Sequence, residues 1–200
     1  MNIYLLSFLI VVSGYFIGSI SPSYIACKML KGVDIRTVGD CNPGAANVRS
    51  ILGKDISFIV ALLDLVKGIV PVLIALNLKL PLFIVILSGI IVVLGHDFSM
   101  FLGFKGGKGT LTSLGVLLPL LPFEVILAFM VWLFIHYILK IRFIGSLVVF
   151  CLVPVLAWFI SVNIIGHPLY IILFPIFILV LFLTRMPENI KNFFEKRKMI

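Results

Sequence analysis

The densest chemistry in the chain lies in the run Phe104-Lys105-Gly106-Gly107-Lys108-Gly109-Thr110. Glycines let a backbone approach an anion closely, and the interleaved Lys105 and Lys108 bring positive charge. Thr110 opens an apolar run. If that run is helical, its unsatisfied N–H groups and positive dipole end face the same place, which is how helix starts hold phosphate. The run is not a Walker A loop, because the G-x-x-x-x-G-K-S/T spacing is absent. A plain basic loop lying against lipid headgroups is the competing reading.

A second polar cluster runs from Gly39 to Arg49 and holds Asp40, Asn42 and Asn47 among turn formers. Its asparagines suit the hydroxyls of a polyol; an ordinary capped loop is the alternative. Asp64 and Lys67 stand one helical turn apart in an apolar stretch and are expected to pair, for function or for structure alone. His96 sits at a helix mouth beside the glycine-lysine run, where it suits proton transfer or positioning. His136 lies inside an apolar helix and His167 on the opposite side. His96-Asp97 fails the H-x-x-x-x-D pattern of soluble-tail acyltransferases, since the required aspartate position holds Phe101. Arg185 after the last apolar run reads as a snorkelling anchor; Asn189 is a further candidate contact.

The elements that must carry these residues are membrane helices. Of 200 residues, 62% are hydrophobic and 12% charged, which excludes a water-soluble globule. In hydrocarbon every backbone polar group needs an internal partner, so helices follow. The expected architecture is an all-α polytopic membrane protein, one domain over 1–200, with about seven transmembrane helices; six is the alternative. The first run, Ile3 to Ala26, reads as one retained helix. The run Thr110 to Leu121 is short for a perpendicular crossing and is expected to be tilted, re-entrant or shielded. Cys27, Cys41 and Cys151 have no metal-ligand spacing and imply no disulfide framework.

Basic residues sort to one side under alternation of the connections, the other side holding only Lys79. The positive-inside rule then puts the polar loops and C-terminus in the cytoplasm and the N-terminus outside. The net charge of +8 is divided among short juxtamembrane loops without interleaved base-stacking aromatics, which argues against nucleic acid and for anionic lipid headgroups. A transporter is the rival class, since Asp64 and Lys67 are intramembrane ionisable groups, but inverted repeats and paired broken helices are absent.

These motifs together resemble the bacterial acyl-phosphate:glycerol-3-phosphate acyltransferases, the PlsY family. The resemblance runs over essentially the whole chain and in the same order: Gly18-Ser19, Gly32 to Arg36, Asn42 to Ala45, Asn47, Leu52-Gly53-Lys54, Asp64 with Lys67-Gly68, Gly95-His96, Phe104 to Gly109, and Arg185 with Glu188-Asn189. It implies a seven-helix enzyme of the bacterial plasma (inner) membrane, with its site on the cytoplasmic face. Such an enzyme moves an acyl group from acyl phosphate to the 1-hydroxyl of glycerol 3-phosphate and needs no metal or organic cofactor. Under this reading Lys105, Gly106, Gly107, Lys108 and Gly109 bind phosphate, with Asn42, Asn47, Arg49 and Ser146 as further substrate contacts. His96, Asp40 and Asn189 are the candidate catalytic residues.

Departures from the family pattern cluster where function is expected. Asp40-Cys41 replaces Ser-Gly, and Ala46 replaces Thr. Ser50 stands where the family has arginine, with Arg49 one place early, a rotation of about 100° on a helix. Gly145 replaces a serine, with Ser146 adjacent, and Met186 replaces a histidine. A carboxylate at Asp40 either repels phosphate or acts as base toward the acceptor hydroxyl. An acyltransferase for another acceptor and a non-catalytic lipid-phosphate binding protein are therefore the alternative readings.

Overall fold

The computed structural model describes residues 2–139 and 142–185, with side chains described outside 136–139 and 142–144. All regular structure among these residues is helical, as composition requires. The chain divides into two compact units, one through Pro119 and one from Leu120 onward.

In the first unit α1 (Ile3–Ser19) begins at Asn2, whose side chain accepts the Tyr4 N–H. The single helix expected from Ile3 to Ala26 is interrupted at Ile20 and Ser21, and α2 spans Pro22–Lys31. The cause is local: the Ser21 side chain accepts the Tyr24 N–H as an N-cap, and Pro22 takes the first helical position, where no N–H is needed. A short 3-10 turn (Ile35–Thr37) leads to α3 (Ala45–Leu52) and α4 (Lys54–Asn77). The 24 residues of α4 reach roughly 36 Å, enough to cross the hydrocarbon core. Next come α5 (Leu82–Asp97), a 3-10 turn (Met100–Leu102) and α6 (Thr110–Leu117).

Two features seat α6 and the polar loops. Gly68 of α4 and Gly115 of α6 face each other so closely that a Cβ on either would overlap the other helix's backbone; small residues at a crossing let membrane helices approach in this way. Beneath the loop before α3, Cys27, Ile35, Val48 and Val60 form a small buried core, each aliphatic side chain contributing about 1.5–3 kcal/mol on burial. The eight residues of α6 are almost wholly buried from Thr112 to Leu117, so this short element is shielded by its neighbours.

The second unit comprises α7 (Pro122–Leu139), α8 (Arg142–Leu156) running into a π-helical turn (Ala157–Val162), a 3-10 turn (Leu169–Ile172) and α9 (Leu173–Thr184). Phe150 of α8 and Phe182 of α9 pack with ring centroids 4.8 Å apart. Glu124 of α7 is 0% exposed and accepts a hydrogen bond from Ser161 Oγ at 2.5 Å. By length and apolarity Ile3–Lys31, Lys54–Asn77, Leu82–Leu102 and Gly145–Val162 can each cross a membrane, and Pro122–Ile135 and Leu169–Thr184 are shorter apolar helices.

Candidate active site

The C-terminal end of α5 is the template for the glycine-lysine loop. Gly107 N–H donates to the His96 carbonyl and Gly106 N–H to the Asp97 carbonyl, each at 3.1 Å, folding the loop back over the helix end. Phe104, at a positive φ of 61°, makes the reversal, its N–H donating to Ser99 O at 2.8 Å. Ser99 Oγ in turn donates to Ser19 O at 2.5 Å, and Tyr15 Oη to Phe98 O at 2.8 Å, so α1 holds this corner from below. Gly109 sits at φ 63° as the N-cap of α6. The helix start predicted at Thr110 is observed, and the N–H groups of its first turn lack intrahelical acceptors.

Gly107 is the point where two loops meet. A Cβ there would overlap His96 Nε2 and lie 3.0 Å from the carbonyl oxygen of Pro43. The loop amides are thus divided: those of Gly106 and Gly107 are spent on α5, and the first-turn amides of α6 have no intrahelical acceptor. Lys105 is exposed and Lys108 half-buried.

The loop before α3 is organised by Asn47, which is 1% exposed. Its Nδ2 donates to Ile35 O at 3.1 Å and Val38 O at 2.8 Å, and its Oδ1 accepts the Asp40 N–H at 3.2 Å. Expected as a substrate contact, Asn47 is turned inward and shapes the loop. Asp40 Oδ1 accepts the Asn42 N–H at 3.2 Å, and both residues are half-buried. Arg49 is exposed on α3, while Ser50 Oγ donates to Asn47 O at 2.7 Å. Ser146 is buried in α8 of the second unit. Asn189, Glu188 and Met186 lie outside the described residues.

Asp64 and Lys67 pair as expected, at 2.9 Å and both buried. Lys67 Nζ also donates at 2.7 Å to the Ile20 carbonyl released by the break between α1 and α2. His96, 7% exposed, joins the same group, its Nδ1 lying 3.5 Å from Asp64 Oδ1 and 3.2 Å from Thr112 Oγ1.

Two participants were not among the site residues expected from sequence, although Arg36 closes one of the motifs that carry the resemblance. Thr112 looked like any polar residue in a short helix; its place two residues after the helix start was the only signal. Arg36 is the other. It pairs with Asp34 at 2.7 Å, donates through Nη1 to Leu102 O at 2.7 Å, and lies 5.5 Å over the Tyr24 ring. One guanidinium therefore ties the loop after α2 to the turn before the glycine-lysine run. The Arg36 guanidinium, hydrogen-bonded to Asp34, holds that carboxyl below the usual carboxylate range and is itself raised by the same contact.

Together these parts set two lysines and the start of α6 beside a buried polar group drawn from the middle of α4, the end of α5 and the first turn of α6. Among the described residues no cluster of three or more His, Cys, Asp or Glu side chains could hold a metal.

The family model described as glycerol-3-phosphate acyltransferase matches residues 8–196. Among curated relatives, the glycerol-3-phosphate acyltransferase of Aquifex aeolicus is 35% identical over 190 residues, covering 94% of this chain and 96% of that protein. Its counterpart in Shouchella clausii is 37% identical over 182 residues, covering 90% and 88%. Two crystal structures of PlsY (YgiH), an integral membrane glycerol 3-phosphate acyltransferase, are also similar, each covering 96% of this chain and 93% of theirs. The glycerol 3-phosphate form aligns with TM-score 0.86 at 34% identity, the lysophosphatidic acid form with 0.82 at 33%.

Proposed function

This chain belongs to the glycerol-3-phosphate acyltransferase family, and from that premise we propose that it transfers a fatty acyl group from acyl phosphate to the 1-hydroxyl of glycerol 3-phosphate, releasing lysophosphatidate and phosphate. The observation that carries the reading is the seating of the Lys105–Gly109 run. Its backbone is pinned to the end of α5, so the lysines and the α6 start are presented together. Both substrates of this reaction are phosphates, and one carries a long chain that suits apolar helices.

In the proposed reaction the acceptor hydroxyl oxygen attacks the acyl carbon and the bond to phosphate breaks. The hydroxyl proton passes to the departing phosphate or to Asp40. Lys105, Lys108 and the first-turn amides of α6 stabilise charge gathering on the leaving phosphate, and orientation of the hydroxyl against the activated carbonyl supplies much of the rest. Asn42, Arg49 and Asn189 are proposed as acceptor contacts. We place the site on the cytoplasmic face of the bacterial inner membrane, in a chain that crosses about seven times with its N-terminus outside; the excess of lysine and arginine on one side supports this topology.

Donor choice tests the reaction. Purified protein given glycerol 3-phosphate is expected to form lysophosphatidate from palmitoyl phosphate and none from palmitoyl-CoA. Product from the thioester alone would refute the acyl-phosphate reading. Consumption of palmitoyl phosphate only with a different acceptor would favour the changed-acceptor alternative that Asp40 raises.

A further inference from the structure

Two side chains that the proposed reaction does not use, Asp64 of α4 and Thr112 of α6, converge on the same edge of His96, at 3.5 Å and 3.2 Å from Nδ1. The opposite edge of that ring lies against Gly107, close enough that a Cβ there would overlap Nε2, and the His96 carbonyl accepts the Gly107 N–H at 3.1 Å. Ring and backbone of one residue thus hold Gly107 from two directions.

We propose that Asp64 and Thr112 make His96 a positioning residue: they hold its imidazole by Nδ1, so that its far edge and its carbonyl set Gly107 and hence the direction in which Lys105, Lys108 and the α6 start face phosphate. The inference rests on the reading of that loop as the phosphate site.

The restraint is traceable back to α1. Lys67 donates to the Ile20 carbonyl and ion-pairs with Asp64, and Asp64 faces His96. A carboxylate has acceptors only, so the ring nitrogen that faces it is the one carrying hydrogen. A carboxylate–imidazole contact that fixes tautomer and ring orientation serves the same purpose in many sites. The ring is 7% exposed with its Nε2 edge behind Gly107. A general base for the acceptor hydroxyl needs that edge turned toward substrate, so the geometry favours positioning over proton transfer.

The test pairs Thr112→Val with Thr112→Ser in purified protein and reads KM for glycerol 3-phosphate and kcat separately. Loss of the hydroxyl is expected to raise KM by about tenfold with kcat nearly unchanged, and serine is expected to restore it. In wild-type protein labelled with 15N-histidine, the His96 ring is expected to carry hydrogen on Nδ1, with its signals moving in the valine variant. Unchanged KM in Thr112→Val, or a fall in kcat alone, overturns the proposal; so does a wild-type His96 with a bare Nδ1. The spectrum requires neither turnover nor a folded variant. A bare Nδ1 in that spectrum overturns the proposal even if Thr112→Val cannot be extracted. Absence of lysophosphatidate from the wild type would instead remove the functional reading beneath it.

Discussion

Two buried carboxyl groups, Asp64 in α4 and Glu124 in α7, lie in apolar helices yet are built into the molecule in opposite ways. Asp64 has Lys67 and His96 beside it, and His96 passes on to the backbone of a loop. Glu124 accepts from Ser161 Oγ, and its Oε2 is buried with no hydrogen-bond partner among the described residues. The first carboxyl connects helices to the glycine-lysine loop. The second joins α7 to the π-helical turn after α8, where the Ser161 carbonyl accepts the His167 N–H, and among the described residues it leads to no glycine-lysine segment. A buried polar group in a membrane helix is therefore informative about function through what lies beyond its first partner.

The contrast can be broken by substitutions on each side. The largest effect is expected from Lys108→Ala, which removes a cation from the proposed phosphate site. Acyl transfer should fall by about two orders of magnitude or more, while the protein stays folded and extractable. Next is Gly107→Ala, whose methyl cannot fit against the His96 ring and the Pro43 carbonyl unless the loop shifts. Overpacking of this kind costs roughly 1–3 kcal/mol, and because the loop is what moves, the loss should appear chiefly in KM for glycerol 3-phosphate. Ser161→Ala reverses the pattern. It leaves Glu124 without its donor at a cost of about 1–3 kcal/mol, so the melting temperature should drop with KM unchanged; a changed KM would erase the distinction between the two carboxyls.

The smallest effect belongs to the exposed end of the same site. Arg36 holds the Asp34 carboxyl below its ordinary value of about 3.9. The folded state therefore gains stability above the unfolded value and loses it as pH falls through the lower folded value. Asp34→Asn should flatten that acid limb in a stability-versus-pH measurement, at a cost below about 1 kcal/mol near neutrality, since the pair is partly solvated.

Much of this arrangement was legible in the chain. The helix start at Thr110 and the Asp64–Lys67 pair are local patterns, and both are found as read; the glycine-lysine run was legible as a loop, but not the bonding of its Gly106 and Gly107 amides to the end of α5. The break between α1 and α2 was equally local, written in Ser21-Pro22, but an unbroken apolar run concealed it. Contacts across long separations were not readable. Nothing in the spacing of Asp64, His96 and Thr112 says that one imidazole edge meets both of the others. Asn47 shows a further limit: an asparagine in a polar loop can turn toward substrate or inward, and only the carbonyls of Ile35 and Val38 decide it.

The central claim is that the Lys105–Gly109 loop is a phosphate site, and a calorimetric titration tests it most directly. Glycerol 3-phosphate and glycerol would each be added to wild-type protein and to Lys108→Ala. The account predicts that wild type binds the phosphorylated compound but not glycerol, and that Lys108→Ala loses this preference. Equal binding of glycerol 3-phosphate by both proteins would contradict it.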